Sequence, residues 1–124
     1  MIKKKFLIVE DENSLSEIIL KMLEAFEYEG KVARNATEAV RLLENTHYDA
    51  IILDLTLPDM NGIDLYRKII KMDSKYRKRI IFTSGFETSK ELDKLIKENE
   101  LHFLSKPFTI DQFISVIDEL MKNI

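Results

Sequence analysis

The chain has no cysteine. That excludes disulfides and cysteine-ligated zinc, and it fits a reducing compartment such as the cytoplasm. It has three glycines and two prolines, and no stretch of it reads as a linker or a low-complexity segment. No apolar run is long enough to span a bilayer. The opening "MIKKKFLIVEDEN" sets only four apolar residues between lysines and acids, too few for the apolar region of a signal peptide. A location in the cytoplasm, with no membrane partner, is therefore expected.

What is there is one domain's worth of chain. With 124 residues, a single domain over residues 1–124 is expected. Its 45% hydrophobic and 33% charged residues give a soluble globular balance rather than a disordered one. The net charge of −3 argues against nucleic acid as a direct partner. Arg67, Lys68, Lys71, Lys75, Arg77, Lys78 and Arg79 are a local exception. They read as a solvated helix end whose cations complement the helix dipole.

Apolar runs alternate with amphipathic stretches. Phe6 to Val9 is a first strand. Ser14 to Tyr28 carries Leu15, Ile18, Ile19, Met22, Leu23 and Phe26 at helical spacing, with Ser14 and Glu17 as a capping box and Gly30 closing it. Lys31 to Arg34 is a brief second strand, and Asn35 can cap the next helix. Ala50 to Asp54 is a third strand, and Asn61-Gly62 opens a helix. Arg79 to Ser84 is a fourth strand, followed by a capping box of Thr88 and Glu91. His102 to Leu104 is a fifth strand, and Thr109 with Gln112 caps the last helix. Five β-α units predict a doubly wound α/β fold with a parallel sheet and helices on both faces.

In such a sheet, ligands bind beyond the carboxyl ends of the strands. The first strand ends on Glu10-Asp11, the third on Asp54 and the fourth on Thr83-Ser84-Gly85; the fifth stops just before Lys106-Pro107. Carboxylates brought together raise one another's pKa unless a cation neutralises them. A hard divalent cation with oxygen ligands, Mg²⁺ in particular, suits the site. Together with a lysine and a hydroxyl, that is equipment for placing a phosphoryl group on a carboxylate. Blander readings suit other residues. Glu12, Asp59 and Asp64 read as helix-cap or turn residues, and Thr83 as a strand residue facing a helix. His47 and His102 stand far apart and read as ordinary surface or strand residues.

These residues resemble the receiver domain of bacterial two-component response regulators, over essentially the whole chain. "FLIVEDEN" resembles the family's acidic-pair motif and "IILDLTLPDMNG" its phospho-acceptor motif; "IIFTSG" resembles the hydroxyl switch motif and "LSKPF" the Lys-Pro motif. The resemblance implies a flavodoxin-like strand order 2-1-3-4-5. It implies that Asp54 takes a phosphoryl group from a phosphohistidine on a sensor histidine kinase or a histidine phosphotransfer protein. The domain would catalyse its own phosphorylation and slow dephosphorylation. Asp11, Asp54 and the Thr56 backbone carbonyl would ligate Mg²⁺, with Glu10 acting through water where many relatives have Asp. Lys106 would pair with the phosphoryl oxygens, Ser84 would swing to meet them, and Gly85 would let the backbone approach. Phe103 holds the aromatic switch position, where Tyr is common, and the Lys106-Pro107 peptide would be cis. A downstream protein would read the face made by the fourth helix, fifth strand and fifth helix. The approach "KENELHF" to the fifth strand departs from the small residues common in the family, and Ser84-Gly85-Phe86 looks more like receivers attached to hybrid kinases. No output segment follows Ile124, so a stand-alone receiver and a piece of a longer protein both stay open.

Two other classes compete. A phosphorylation-independent interaction module on the same fold need not retain the acid pair, acceptor and lysine. A phosphatase of the haloacid dehalogenase type would want a second acid two residues after its nucleophile, where Thr56 stands. A flavin-binding role lacks a Ser/Thr/Gly-rich phosphate loop after the first strand.

Overall fold

Phe6, Leu7, Ile8 and Val9 are all buried, which a strand permits only when both faces of its sheet are covered. A computed structural model describes residues 2–85, 89–122 and 124 of the chain. Its elements are β1 (Lys5–Val9), α1 (Asn13–Ala25), β2 (Glu29–Ala33), α2 (Ala36–Asn45), β3 (Ala50–Asp54) and α3 (Gly62–Met72). A 3₁₀ helix (Ser74–Lys78) follows, then β4 (Ile80–Ser84), α4 (Lys90–Asn99), β5 (His102–Ser105) and α5 (Ile110–Met121). All five strands are parallel, in the order β2-β1-β3-β4-β5. This is the flavodoxin-like order that the resemblance implies.

Successive side chains on a strand point to opposite faces, so the sheet separates two cores. Leu7, Val9, Ile51, Leu53, Ile80 and Phe82 pack under α2, α3 and α4. Phe6, Ile8, Ala50, Ile52, Ile81 and Leu104 pack under α1 and α5.

Local chemistry explains most helix starts. Asn35 accepts a hydrogen bond from the Glu38 N–H at 2.8 Å, and Asn61 accepts one from the Ile63 N–H at 2.7 Å. Thr109 and Gln112 form the expected reciprocal capping box at the head of α5.

Four expectations are corrected. Helix α1 begins at Asn13, with Glu12 in the capping position and no side-chain cap. Ser14 is already inside the helix, and its hydroxyl donates to Glu12 Oε1 at 3.1 Å. The helix ends at Ala25, and Glu27 makes the left-handed turn with φ 66°. Gly30 therefore lies within β2, which runs from Glu29 rather than Lys31. A Cβ on Gly30 would fall 2.6 Å from Leu20 Cδ1, so the glycine lets α1 lie close on the sheet. Helix α4 starts at Lys90, and Ser89 accepts from the Leu92 N–H at 3.1 Å, displacing the expected Thr88–Glu91 box. Thr88 and Phe86 lie outside the described residues.

The basic stretch is divided between α3 and the 3₁₀ helix, and acids answer part of it. Arg67 meets Glu91 at 3.0 Å, Lys75 meets Asp73 at 3.2 Å and Lys78 meets Glu100 at 3.2 Å. Exposed pairs of this kind stabilise little. His47 is exposed beside Asp49, and His102 is half-buried on β5.

Candidate functional site

Strands β1 and β3 are neighbours, with Val9 paired to Leu53. Glu10 and Asp54 therefore emerge side by side at the carboxyl edge of the sheet. The Glu10 N–H still donates to the Ala33 carbonyl at 3.0 Å, which fixes its backbone one residue beyond β1. Asp54 is paired to Thr83, and the Leu55 N–H donates to the Thr83 carbonyl at 2.9 Å. Both acids are buried despite their position at the rim, with side chains 3% and 5% exposed.

One cation answers both. Lys106 Nζ lies 2.6 Å from Glu10 Oε1 and 3.2 Å from Asp54 Oδ2. The lysine is aimed from the end of β5, where its own N–H donates to the Ser84 carbonyl at 2.9 Å and the Lys106–Pro107 peptide is cis. Burial pushes Glu10 up, the hydrogen bond from Lys106 pulls it down and Asp54 adds to the rise; the outcome is a pKa raised from 4.5 to about 7. For Lys106, burial acts to lower the value. The bond to Glu10 and the charges of Asp54 and Glu10 overcome that and hold it above its ordinary range.

Asp11 is exposed, and its carboxylate joins the pair. Oxygens of Glu10, Asp11 and Asp54 lie within 4.8 Å of one another. Three oxygen donors at that spacing fit a hard divalent cation that keeps several waters. Thr56 follows in the loop after β3, where its N–H donates to Asp54 Oδ1 at 3.1 Å.

On the far side of Asp54, Ser84 closes β4 as a buried residue opposite Ser105. Gly85 is exposed, and among the described residues a Cβ there would meet nothing nearer than Lys106 Cβ at 4.0 Å. Phe103 packs partly against the core beneath α4. It also borders a surface cavity of about 460 Å³ lined by Ser105, Pro107, Gln112, Ser115 and Val116. The structure thus brings Glu10, Asp11, Asp54 and Lys106 into one cluster, with Ser84 and Gly85 on the adjoining strand end and Phe103 further down β5.

A sequence model of the response regulator receiver domain matches residues 6–118. The chain belongs to that family. This receiver domain is 31% identical over 123 residues to the chemotaxis protein CheY of Thermotoga maritima, which spans 96% of this chain and 98% of that protein. It is 30% identical over 110 residues to the transcriptional regulatory protein CrdR of Helicobacter pylori, covering 89% of this chain and 51% of that protein. The receiver domain therefore spans about half the length of that regulator. Among solved structures, a CheY-like receiver domain protein of Methanospirillum hungatei matches with a TM-score of 0.85 at 26% identity, over 99% of this chain and all of that one. No helix among the described residues is long and apolar enough to cross a membrane.

Two residues between β3 and the start of α3 escape a reading of the sequence. Gly62 opens α3 directly behind Asp54. A Cβ there would fall 2.6 Å from the Asp54 carbonyl oxygen and 2.6 Å from Leu55 Cα, both backbone atoms that cannot give way. The Asn-Gly pair signals this turn but not the close approach behind it. Asp59 is a helix cap, as its turn position suggests, yet it caps α2 from 22 and 23 residues downstream. No local pattern announces such a partner.

Proposed function

We propose that Asp54 is the phospho-acceptor of a two-component signalling switch, taking its phosphoryl group from a phosphohistidine on a sensor kinase or phosphotransfer protein. The observation that carries this reading is the buried Glu10–Lys106–Asp54 arrangement, with Asp11 at its open side. An Asp54 carboxylate oxygen attacks phosphorus, the P–N bond breaks as the P–O bond forms, and the imidazole keeps the bonding electron pair and takes up a proton. Mg²⁺ would be held by Asp11, Asp54 and the Thr56 backbone carbonyl, with Glu10 acting through water. A cation bound there neutralises charge on the transferring phosphoryl oxygens. Lys106 already sits 3.2 Å from an Asp54 oxygen. It can turn to a phosphoryl oxygen and so keep an anionic partner for its own ammonium.

Ser84 lies one residue beyond the strand partner of Asp54. Its hydroxyl can donate to the phosphoryl group. As the hydroxyl turns toward the phosphate it vacates room into which Phe103 can rotate. The face of α4, β5 and α5 is then the one a downstream protein reads. Phe103 has no hydroxyl, so its inward state rests on packing alone.

The test is incubation with Mg²⁺ and a small acyl phosphate, read by intact mass. One phosphoryl group is expected on the parent and none on Asp54→Asn. If the Asp54→Asn variant labels as well as the parent, the assignment fails.

A further inference from the structure

Asp59 sits at the tip of the loop between β3 and α3, and its side chain does not serve its own helix. Oδ1 accepts from the Ala36 N–H at 2.8 Å, and Oδ2 accepts from the Thr37 N–H at 3.0 Å and the Thr37 hydroxyl at 2.8 Å. Asn35 takes the next two donors of α2, with its side chain on the Glu38 N–H and its carbonyl on the Ala39 N–H. A helix opens with four N–H groups that have no partner within it. Here those of Ala36, Thr37 and Glu38 are filled, two of them by a residue from another loop, while the Ala39 N–H makes the first bond within the helix. The N–H of Ala36, then that of Thr37, hold the Asp59 carboxyl below its ordinary value. A carboxylate at a helix N-terminus also lies in the favourable end of its dipole.

The same loop carries Thr56. Its base is pinned, because the Gly62 N–H donates to the Leu55 carbonyl at 2.9 Å and Thr56 pairs with Asn61 across the loop. Leu57 is buried against the core under α2 and α3. Asp59 is the outer support. Thr56 lies between base and tip, with its N–H on the acceptor carboxylate.

We propose that Asp59 is a positioning residue for the metal site: by tying the 55–61 loop to the start of α2, it holds the Thr56 backbone in the geometry that a divalent cation needs. The inference rests on the reading of Asp54, Asp11 and Thr56 given above. Without the tie, the loop keeps its base but its tip moves. A site that is competent only part of the time binds its ligand more weakly by that fraction.

The test compares two caps of one helix end. Mg²⁺ is titrated into the full chain, followed by amide shifts of residues 54–60, with melting temperature measured alongside. Asp59→Ala should raise the Mg²⁺ midpoint by about three- to tenfold, as a partly populated competent state does. Asp59→Asn keeps one acceptor oxygen and should fall between the two. Asn35→Ala removes the other cap of α2 and leaves the loop tied, so it should lower the melting temperature without moving the midpoint. Equal weakening by Asn35→Ala and Asp59→Ala would mean that the effect is only the stability of α2, and it overturns the proposal. A parental midpoint in Asp59→Ala overturns it too. If the alanine variant fails to fold, an unchanged midpoint in Asp59→Asn has the same force. A parent indifferent to Mg²⁺ overturns the proposed function and this inference together.

Discussion

Helix α3 buries Gly62, Ile63, Leu65, Tyr66 and Ile69, whereas α4, one residue shorter, buries Leu92 alone. The first stands directly behind Asp54, the proposed acceptor, and the second follows β4, which ends on Ser84, the proposed switch hydroxyl. The two glycines of the site repeat the contrast. Gly62 is wedged against the backbone of Asp54 and Leu55, whereas among the described residues a Cβ at Gly85 would meet nothing nearer than 4.0 Å. The half of the rim proposed to hold the chemistry is fixed by close packing. The half proposed to report buries less, as expected of an element that moves. A receiver needs both, since an acceptor that wandered would misplace its carboxylate and a reporter that was locked would have one state.

Removing the link between the halves should have the largest effect. Phosphate on Asp54 offers Ser84 a charge-assisted hydrogen bond of about 1.5–3 kcal/mol, enough for roughly a ten- to hundredfold shift in population. Ser84→Ala should accept phosphate and lose most of the amide-shift changes on α4 and β5. If the phosphorylated variant shows the parental changes there, the hydroxyl does not carry the signal.

Overpacking the rigid half comes next. Gly62→Ala should cost about 1–3 kcal/mol in denaturant unfolding, because the added methyl meets backbone rather than a side chain that can turn aside. It should also slow labelling of Asp54 by displacing that residue. A variant of parental stability that labels at the parental rate would show that the acceptor is not wedged.

A pH series tests the charge cluster. In the folded protein the Glu10 pKa is raised from 4.5 to about 7, with burial the first cause. The folded state then binds this proton more tightly than the unfolded state does. The contribution is fully present below about 4.5 and is lost as pH rises through about 7. Without metal, the parent should lose stability over that window relative to Glu10→Gln. Parallel stability profiles for the two proteins would mean that Glu10 is not buried in an acidic cluster.

The smallest effect belongs to the open half. Gly85→Ala should change stability by no more than about 0.5 kcal/mol, the usual range for an exposed site with free space. A large loss of stability in the unphosphorylated protein would contradict the contrast between the two glycines.

The parts legible in the sequence were those with a local signature. Continuous apolar runs gave the strands, and the residue after each run gave Glu10, Asp11, Asp54, Ser84 and Lys106 their places at one edge. Asn35, Asn61 and Thr109 announced their helices because an N-cap and its partner lie within three residues of each other. Ser14 misled because Glu12 already supplies the extended backbone of a cap position, two residues earlier. Gly30 misled because a glycine that admits a neighbouring helix looks the same, in one dimension, as a glycine that ends one. Asp59 was unreadable as a brace because its partners are 22 and 23 residues away and are backbone donors with no sequence signature.

The hydrogen bond from the Lys106 N–H to the Ser84 carbonyl joins the hydroxyl and the ammonium through one peptide contact between strand ends. Substitutions at the two positions should therefore not behave as independent events. Residues that share a partner or a backbone shift show coupling of about 0.5–3 kcal/mol in double-mutant cycles, while distant ones add. A cycle through Ser84→Ala and Lys106→Ala should depart from additivity in the phosphorylated state, so no single figure can be assigned to either residue alone.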